Sequence, residues 1–523
     1  MSNATVQLLN ADILLVALAV AIYVAGAFVG ARDLWNYLAA GGLLMAMALV
    51  GGGHIPPVHA GPVAVDPLAS YVRWFALAAG LLFVGLTARP QASRVTPEFT
   101  GSLLLAVAGL MLTAAAADLV LLFVGLELVS IPTYVVLYLG RRDAANQEAT
   151  AKYFFLSILA SALLLYGFSF LYGTAGSTDL GVIRAKLAVP GATAAGLGSL
   201  ARLAMILVFA GLGFKLTAVP MQFYAPDVYQ GTSQPNAAIL SVIPKAAGLV
   251  ALVRIVVLAM PQLEPYAWRV ALVLSVLTMT FGSVMGLWQD NLRRLMAYSS
   301  IAQAGYMLLG LAVALAGGEA AGGWDSIGAV LFYLSVYALA TIGTFAVLVY
   351  LGRPGRQIDA VEELAGLGRT RPWAALAMAV FMFSLTGIPP VAGFWGKVVI
   401  FGSALTVHAA PGQSAALSPW FITAAVIGML SSAIAAAYYL RIAAVMYFRT
   451  PLATPRAEGG AAAGLVAVTC AALVLAIGLY GRPLLERSMD AGRASWTVDS
   501  RTPAANPSAG GTASFQRSAA GSQ

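Results

Sequence analysis

Charge is the scarcest property of this sequence. Only 10% of its 523 residues are Asp, Glu, Lys or Arg, against roughly 25% in an ordinary soluble domain. That shortfall excludes a soluble enzyme, a nucleic-acid binder and a disordered chain. Cysteine is nearly absent: Cys470 is the single one and lies in an apolar run, which excludes a disulfide framework and a thiolate-held metal or iron–sulfur cluster. Histidine is almost as rare, and His54, His59 and His408 fall in Gly-, Pro- or Ala-rich connections, leaving no imidazole for a site inside an apolar span. No Gly-x-Gly-x-x-Gly stretch joins a strand to a helix, so a dinucleotide fold is excluded too.

What is present is apolar. Hydrophobic residues make up 60% of the chain and the mean hydropathy is +0.85, which makes a membrane protein the default. A hydrocarbon layer of ~30 Å needs about 20 apolar residues per helix. On that criterion the chain divides into fourteen expected spans, near 10–31, 35–51, 69–89, 101–116, 118–140, 152–173, 200–228, 236–259, 268–288, 297–317, 327–352, 373–402, 417–447 and 463–481. The first lacks a basic leader and reads as a retained helix, not a cleaved signal. The organisation expected is residues 1–100 as three N-terminal spans, 101–260 and 261–450 as two five-span units, 451–487 as a last span and 488–523 as a disordered low-complexity tail. Basic residues concentrate in the connections after odd-numbered spans (Arg141, Arg142, Arg293, Arg294, Arg353, Arg356). The positive-inside rule then puts those connections in the cytoplasm and both termini outside, in agreement with an even span count.

Lysine is used selectively. Of 29 Lys plus Arg only five are lysine (Lys152, Lys186, Lys215, Lys245 and Lys397), and three of these fall inside apolar spans. Arginine holds its proton under all protein conditions, whereas a desolvated lysine can give its proton up. A charge at mid-membrane costs from ~3 to over 10 kcal/mol, so Lys215, Lys245 and Lys397 read as functional, against the plainer alternative of snorkelling or static ion pairing. Glu127 lies midway along span 5 and needs a cationic partner on another span, Lys215 or Lys245. Spans 7 and 12 are interrupted, the first at Pro220 and the second at Gly387, Pro389 and Pro390, and each carries one of the lysines. Five spans apart, they run in opposite directions, so spans 4–8 and 9–13 read as inverted repeats with breaks at matching positions, the usual pointer to a transport site. Polar residues that could assist are Ser130, Gln222, Tyr298, Ser299 and Gln303. Lys152, near the start of span 6, reads as an interface lysine unless it belongs to a family pattern.

Several stretches together carry a resemblance: Leu121–Gly140, 148–167, GFKLTAVPMQFYAPDVYQG (213–231), SVIPKAAG (241–248), NLRRLMAYSSIAQAGYMLLG (291–310) and SLTGIPPVAGFWGK (384–397). Over roughly residues 10–480 the chain resembles the antiporter-like subunits of bacterial proton-pumping NADH:quinone oxidoreductase (respiratory complex I), with APDVYQG resembling the subunit N branch. The resemblance implies an all-α polytopic membrane protein of about 14 transmembrane helices, with two inverted five-helix repeats (4–8 and 9–13) and broken helices 7 and 12. It implies a proton relay of Glu127, Lys215 paired with it, Lys245 and Lys397. It further implies no cofactor in this chain, with NADH, FMN, iron–sulfur clusters and quinone in partner subunits. The partners implied are a neighbouring antiporter-like subunit and small membrane-arm subunits in the bacterial inner membrane. Relatives often carry histidine where this chain has Gln222 and Gln303. The missing cluster of intramembrane carboxylates favours protons over sodium. The alternatives are a subunit of a cation/proton antiporter or membrane-bound hydrogenase, a stand-alone solute transporter, and a structural anchor for a redox arm.

Overall fold

The computed structural model describes residues 3–29, 32–51, 58–88, 96–141, 143–189, 197–317, 325–352, 358–407, 417–451 and 459–497. They form helices α1 (Asn3–Leu8), α2 (Asn10–Gly26) and α3 (Arg32–Gly51), a hairpin of β1 (Val58–Ala60) and β2 (Val63–Val65), then α4 (Pro67–Leu86), α5 (Thr96–Ala115), α6 (Leu119–Gly140), α7 (Ala144–Ala175), α8 (Leu180–Leu187), α9 (Leu197–Leu216), α10 (Ala225–Gly231) and α11 (Gln234–Leu252). There follow α12 (Glu264–Gly286), α13 (Leu292–Gly317), α14 (Ser326–Tyr350), α15 (Leu367–Thr370), α16 (Pro372–Thr386), α17 (Ala392–Leu405), α18 (Ser418–Phe448), α19 (Gly460–Leu479) and α20 (Arg482–Thr497). Twelve helices among the described residues are long and apolar enough to cross a membrane, and α2, α16 and α17 are shorter apolar helices. The chain is an all-α, multi-pass membrane protein.

Every expected span overlaps a helix, but hydropathy places some ends wrongly. The helix of span 6 starts at Ala144, eight residues before the apolar run, because Asp143 caps it by accepting the Asn146 amide at 2.9 Å. The tail is corrected as well: α20 continues to Thr497 and buries Met489 and Ala491, with Gly328 of α14 lying against the Met489 backbone. Residues 498–523, like His54 and His408, lie outside the described residues.

The most buried helices, α11, α13 and α14, form the interior, and the others surround them. With lipid as apolar as leucine, close approach does much of the joining. Gly109 of α5 and Gly125 of α6 show it. A Cβ on Gly109 would lie 2.7 Å from the Leu128 carbonyl carbon, and one on Gly125 would lie 2.7 Å from the Thr113 hydroxyl. That contact fixes the helix that carries Glu127 and Ser130.

Two buried ion pairs tie the N-terminal helices to the rest. Arg73 on α4 pairs with Asp12 on α2. Arg254, in a π-helical turn (Val253–Ala259) that prolongs α11, grips Asp66 through both guanidinium nitrogens at 2.6 and 2.8 Å and also donates to the Ala114 carbonyl. Asp66 in turn caps α4 by accepting the Ala69 amide at 2.7 Å.

Candidate functional site

Both predicted interruptions are real. α9 stops at Leu216 and the chain resumes as α10 at Ala225; α16 stops at Thr386 and α17 begins at Ala392. Val219–Pro220 and Pro389–Pro390 are both cis. A broken helix inside a membrane leaves carbonyls that need donors. At the first break the Tyr224 hydroxyl donates to the Phe214 carbonyl at 2.9 Å. At the second, Lys397 Nζ donates to the Leu385 carbonyl at 2.9 Å and to Thr386 at 2.7 Å, so the ammonium sits at the negative end of α16. Gly387 closes that end at φ 88°, a conformation that favours glycine, and a Cβ there would lie 2.8 Å from Lys397 Cδ.

Glu127 and Ser130, three residues apart, share one face of α6. Glu127 is half-buried and accepts a hydrogen bond from Ser161 of α7 at 2.5 Å. Lys215, buried on α9, donates to the Ser130 hydroxyl at 2.5 Å, and that hydroxyl donates to the Leu126 carbonyl at 2.8 Å. The direct Glu127–Lys215 ion pair expected from the sequence does not form in this state. Ser130 takes the ammonium one turn further along α6, while Ser161 holds the carboxylate. Glu127 stays within Coulombic reach of the lysine.

Lys245 is 1% exposed. Its ammonium donates to the Thr217 hydroxyl at 2.9 Å and to the Ser300 carbonyl of α13 at 2.6 Å. Thr217 is the residue just past the end of α9 and is held at φ 58°, in the left-handed region that a β-branched residue rarely enters. Strain of this kind clusters at functional sites, and here it turns a hydroxyl from one broken helix onto the central lysine.

Between Lys245 and Lys397 runs a band of buried polar side chains. The Ser300 and Tyr337 hydroxyls are 2.6 Å apart, and Tyr337 donates to the Ser241 carbonyl at 3.1 Å. The Ser299 and Tyr439 hydroxyls are 2.5 Å apart. Gln303 donates to Tyr439 at 3.1 Å and to the Leu385 carbonyl at 3.3 Å, and accepts from the Tyr333 hydroxyl. The Leu385 carbonyl therefore joins Gln303 to Lys397.

The predicted site residues are thus partly gathered. Glu127, Ser130 and Lys215 form one cluster; Lys245, Ser299, Gln303 and Lys397 line a second. Tyr298 packs on Phe281 with ring centroids 6.3 Å apart, away from the band. Gln222 lies in the first break with its side-chain oxygen buried and without a hydrogen-bond partner. Lys152 pairs with Glu148 at 2.5 Å and with Asp227 at 3.2 Å, and Arg294 holds the other oxygen of Asp227 at 2.7 Å. Sequence reasoning missed Ser161, Thr217, Tyr333, Tyr337, Ser432 and Tyr439. The spacing of Tyr333 and Tyr337, one helical turn apart, was a usable signal.

Among the described residues no group of three or more His, Cys, Asp or Glu gathers as a metal would require. The cap at the start of α7 can be probed through acid. Burial alone would raise the pKa of Asp143, but its bond to the Asn146 amide and its pairing with Arg141 outweigh that and hold it below its ordinary 3.8. A depressed carboxylate contributes stability that is complete above the ordinary value and lost as pH falls through the folded one. Hydrogen-exchange protection of the Asn146 amide should therefore drop below about pH 4, and in Asp143→Ala it should already be low at neutral pH.

Comparisons with known proteins identify the family and the fold. A family model described as NADH:quinone oxidoreductase/Mrp antiporter, TM, matches residues 116–423. NADH-quinone oxidoreductase subunit N of Rhodospirillum rubrum is 37% identical over 476 residues, covering 88% of this chain and 92% of that protein. A chain in the structure of respiratory complex I from Thermus thermophilus with bound aureothin superposes with TM-score 0.75 at 33% identity, over 92% of this chain and 99% of that one. A chain of the Mrp complex from Dietzia sp. DQ12-45-1b gives TM-score 0.79 at 21% identity, over 96% of this chain and 99% of that one, which is a likeness of fold alone. The chain belongs to the NADH:quinone oxidoreductase/Mrp antiporter transmembrane family, among its NADH-quinone oxidoreductase subunit N members.

Proposed function

We propose that the chain is a proton-translocating membrane subunit of an NADH:quinone oxidoreductase, moving protons through Glu127, Lys215, Lys245 and Lys397 while partner subunits carry the flavin, iron–sulfur and quinone chemistry. The observation that carries this reading is the three lysines deep in the helix bundle, each bound only to hydroxyls or carbonyls. None of them has a carboxylate within 4 Å among the described ion pairs. A static structural pair would be locked by a contacting acid; these ammonium groups are free to release a proton at Nζ. Counting α2, and joining α9 to α10 and α16 to α17 as broken crossings, gives fourteen crossings; in this reading crossings 4–8 and 9–13 are two inverted five-helix repeats and both termini lie outside the bacterial inner membrane.

In the mechanism, a charge change delivered by the neighbouring membrane subunit acts on Glu127 at the half-open face between α6 and α7. A unit charge at roughly 6 Å in an effective dielectric near 20 is worth about 3 kcal/mol, about a hundredfold in the protonation balance of Lys215. Lys215 then exchanges its proton with Lys245, and Lys245 with Lys397, through Thr217, the Ser299–Tyr439–Gln303 band and ordered water. Gln303 cannot titrate; its amide orients Tyr439 and Tyr333 and shares the Leu385 carbonyl with Lys397. Ser130→Ala removes the hydroxyl that holds Lys215, and a hydrogen bond to a charged group is worth about 1.5–3 kcal/mol. Pumping driven by NADH in membrane vesicles should slow about tenfold or more in that variant.

The subunit assignment is tested by purifying the chain from its native membrane in gentle detergent and identifying what accompanies it by mass spectrometry. Flavin and iron–sulfur subunits with two larger antiporter-like chains are the expected companions. Antiporter-like chains alone would make it part of a cation/proton antiporter, driven by an ion gradient.

A further inference from the structure

Lys397 differs from the other two buried lysines in what surrounds its ammonium. All three of its N–H groups are engaged, by the Leu385 and Thr386 carbonyls and by the Ser432 hydroxyl at 2.6 Å. The ammonium also lies over a ring: Nζ is 5.2 Å from the centroid of Tyr306. Among the described residues no other lysine lies over an aromatic face. The ring is fully buried and its orientation is fixed edge-on by Phe401 at 5.7 Å and 84° and by Tyr333 at 6.4 Å and 83°. The titratable groups on the helices against α17 are Tyr298 and Tyr306 from α13, Tyr333, Tyr337 and Tyr350 from α14, Tyr438, Tyr439 and Tyr447 from α18 and Cys470 from α19, all neutral in their ordinary state, together with Arg293, Arg294 and Arg441, which are paired with Asp359, Asp227 and Asp290. Among the described residues no counter-ion compensates Lys397; helix-end carbonyls and a π-face do.

Resting on the relay reading above, we propose that Tyr306 is a positioning residue whose ring face holds Lys397 in its proton-loaded form, making Lys397 the member of the relay that stores a proton against a ring. A cation over a desolvated ring is attracted by the negative face of the ring, and electron withdrawal from the ring removes that attraction without changing its shape. Lys215, bonded to Ser130, and Lys245, with no ring, do not share this dependence.

The test installs phenylalanine and then its mono-, di- and trifluorinated analogues at position 306 in the intact complex. The readout is the pH profile of NADH-driven proton pumping in vesicles. Losing π-density lowers the proton affinity of Lys397, so the alkaline limb of the profile should move stepwise to lower pH along the series, by about one unit in total. A merely space-filling ring predicts four superimposable profiles. Lys397→Gln is the companion. If it slows pumping while the fluorinated series leaves the limb in place, the role of Tyr306 is wrong and the relay stands. If Lys397→Gln leaves pumping intact, the relay reading fails and this inference falls with it.

Discussion

Lys245→Arg lowers proton pumping by the assembled complex at least a hundredfold, as severely as Lys245→Met, and leaves the amount of assembled complex close to wild type. The two substitutions separate charge from titration. Arginine keeps a positive charge and supplies donors for the Thr217 hydroxyl and the Ser300 carbonyl, so the interior retains its bonded cation. It cannot give up its proton. A positioned acid–base group contributes about 10²–10⁴-fold, and that is the factor the substitution removes. Were Lys245 only a structural cation, arginine would rescue what methionine destroys. Vesicle acidification driven by NADH, normalised to chain content, distinguishes the two.

Asp66→Asn has the largest expected effect on stability. It leaves the Arg254 guanidinium buried without its counter-charge, held by the Ala114 carbonyl and one amide oxygen, while asparagine can still cap α4. Removing one member of a buried pair costs about 3–5 kcal/mol, whereas replacing both by apolar groups of similar volume is often neutral. The thermal midpoint of the detergent-solubilised complex should therefore fall clearly in Asp66→Asn and recover in the double variant Asp66→Leu, Arg254→Met. Pumping in the double variant should follow its stability, since neither residue touches the lysine band.

The contrast between these two sites explains what was legible in the sequence. Lys215, Lys245 and Lys397 stood out because a rare residue type fell where hydrocarbon makes it expensive, and Pro220, Pro389 and Pro390 because proline has one local meaning inside a helix. Both signals are local. Ser161, Thr217 and Tyr439 are ordinary hydroxyl residues whose role depends on helices far away in the chain; Tyr439 meets Ser299 across 140 positions, and no local pattern encodes that meeting. Arg254 was hidden for a related reason: it sits near the end of an apolar span, where a snorkelling arginine is unremarkable, and only the fold brings Asp66 to it. The Glu127–Lys215 pair went the other way. Complementary charge predicted a direct contact, but serines on α6 and α7 compete for both groups, and side-chain reach decided in their favour. The polar end of the chain misled because α20 has low hydropathy; its helix is held by a few apolar residues packed on α14.

The central claim is that proton movement passes through this chain and is switched at Glu127. The most direct measurement is the number of protons translocated per electron by the purified complex in liposomes, with Glu127→Gln against wild type. The glutamine keeps the shape and an acceptor for Ser161 and removes the charge that acts on Lys215. The account predicts fewer protons per electron at a quinone reduction rate no higher than wild type. An unchanged ratio at an unchanged rate would contradict it.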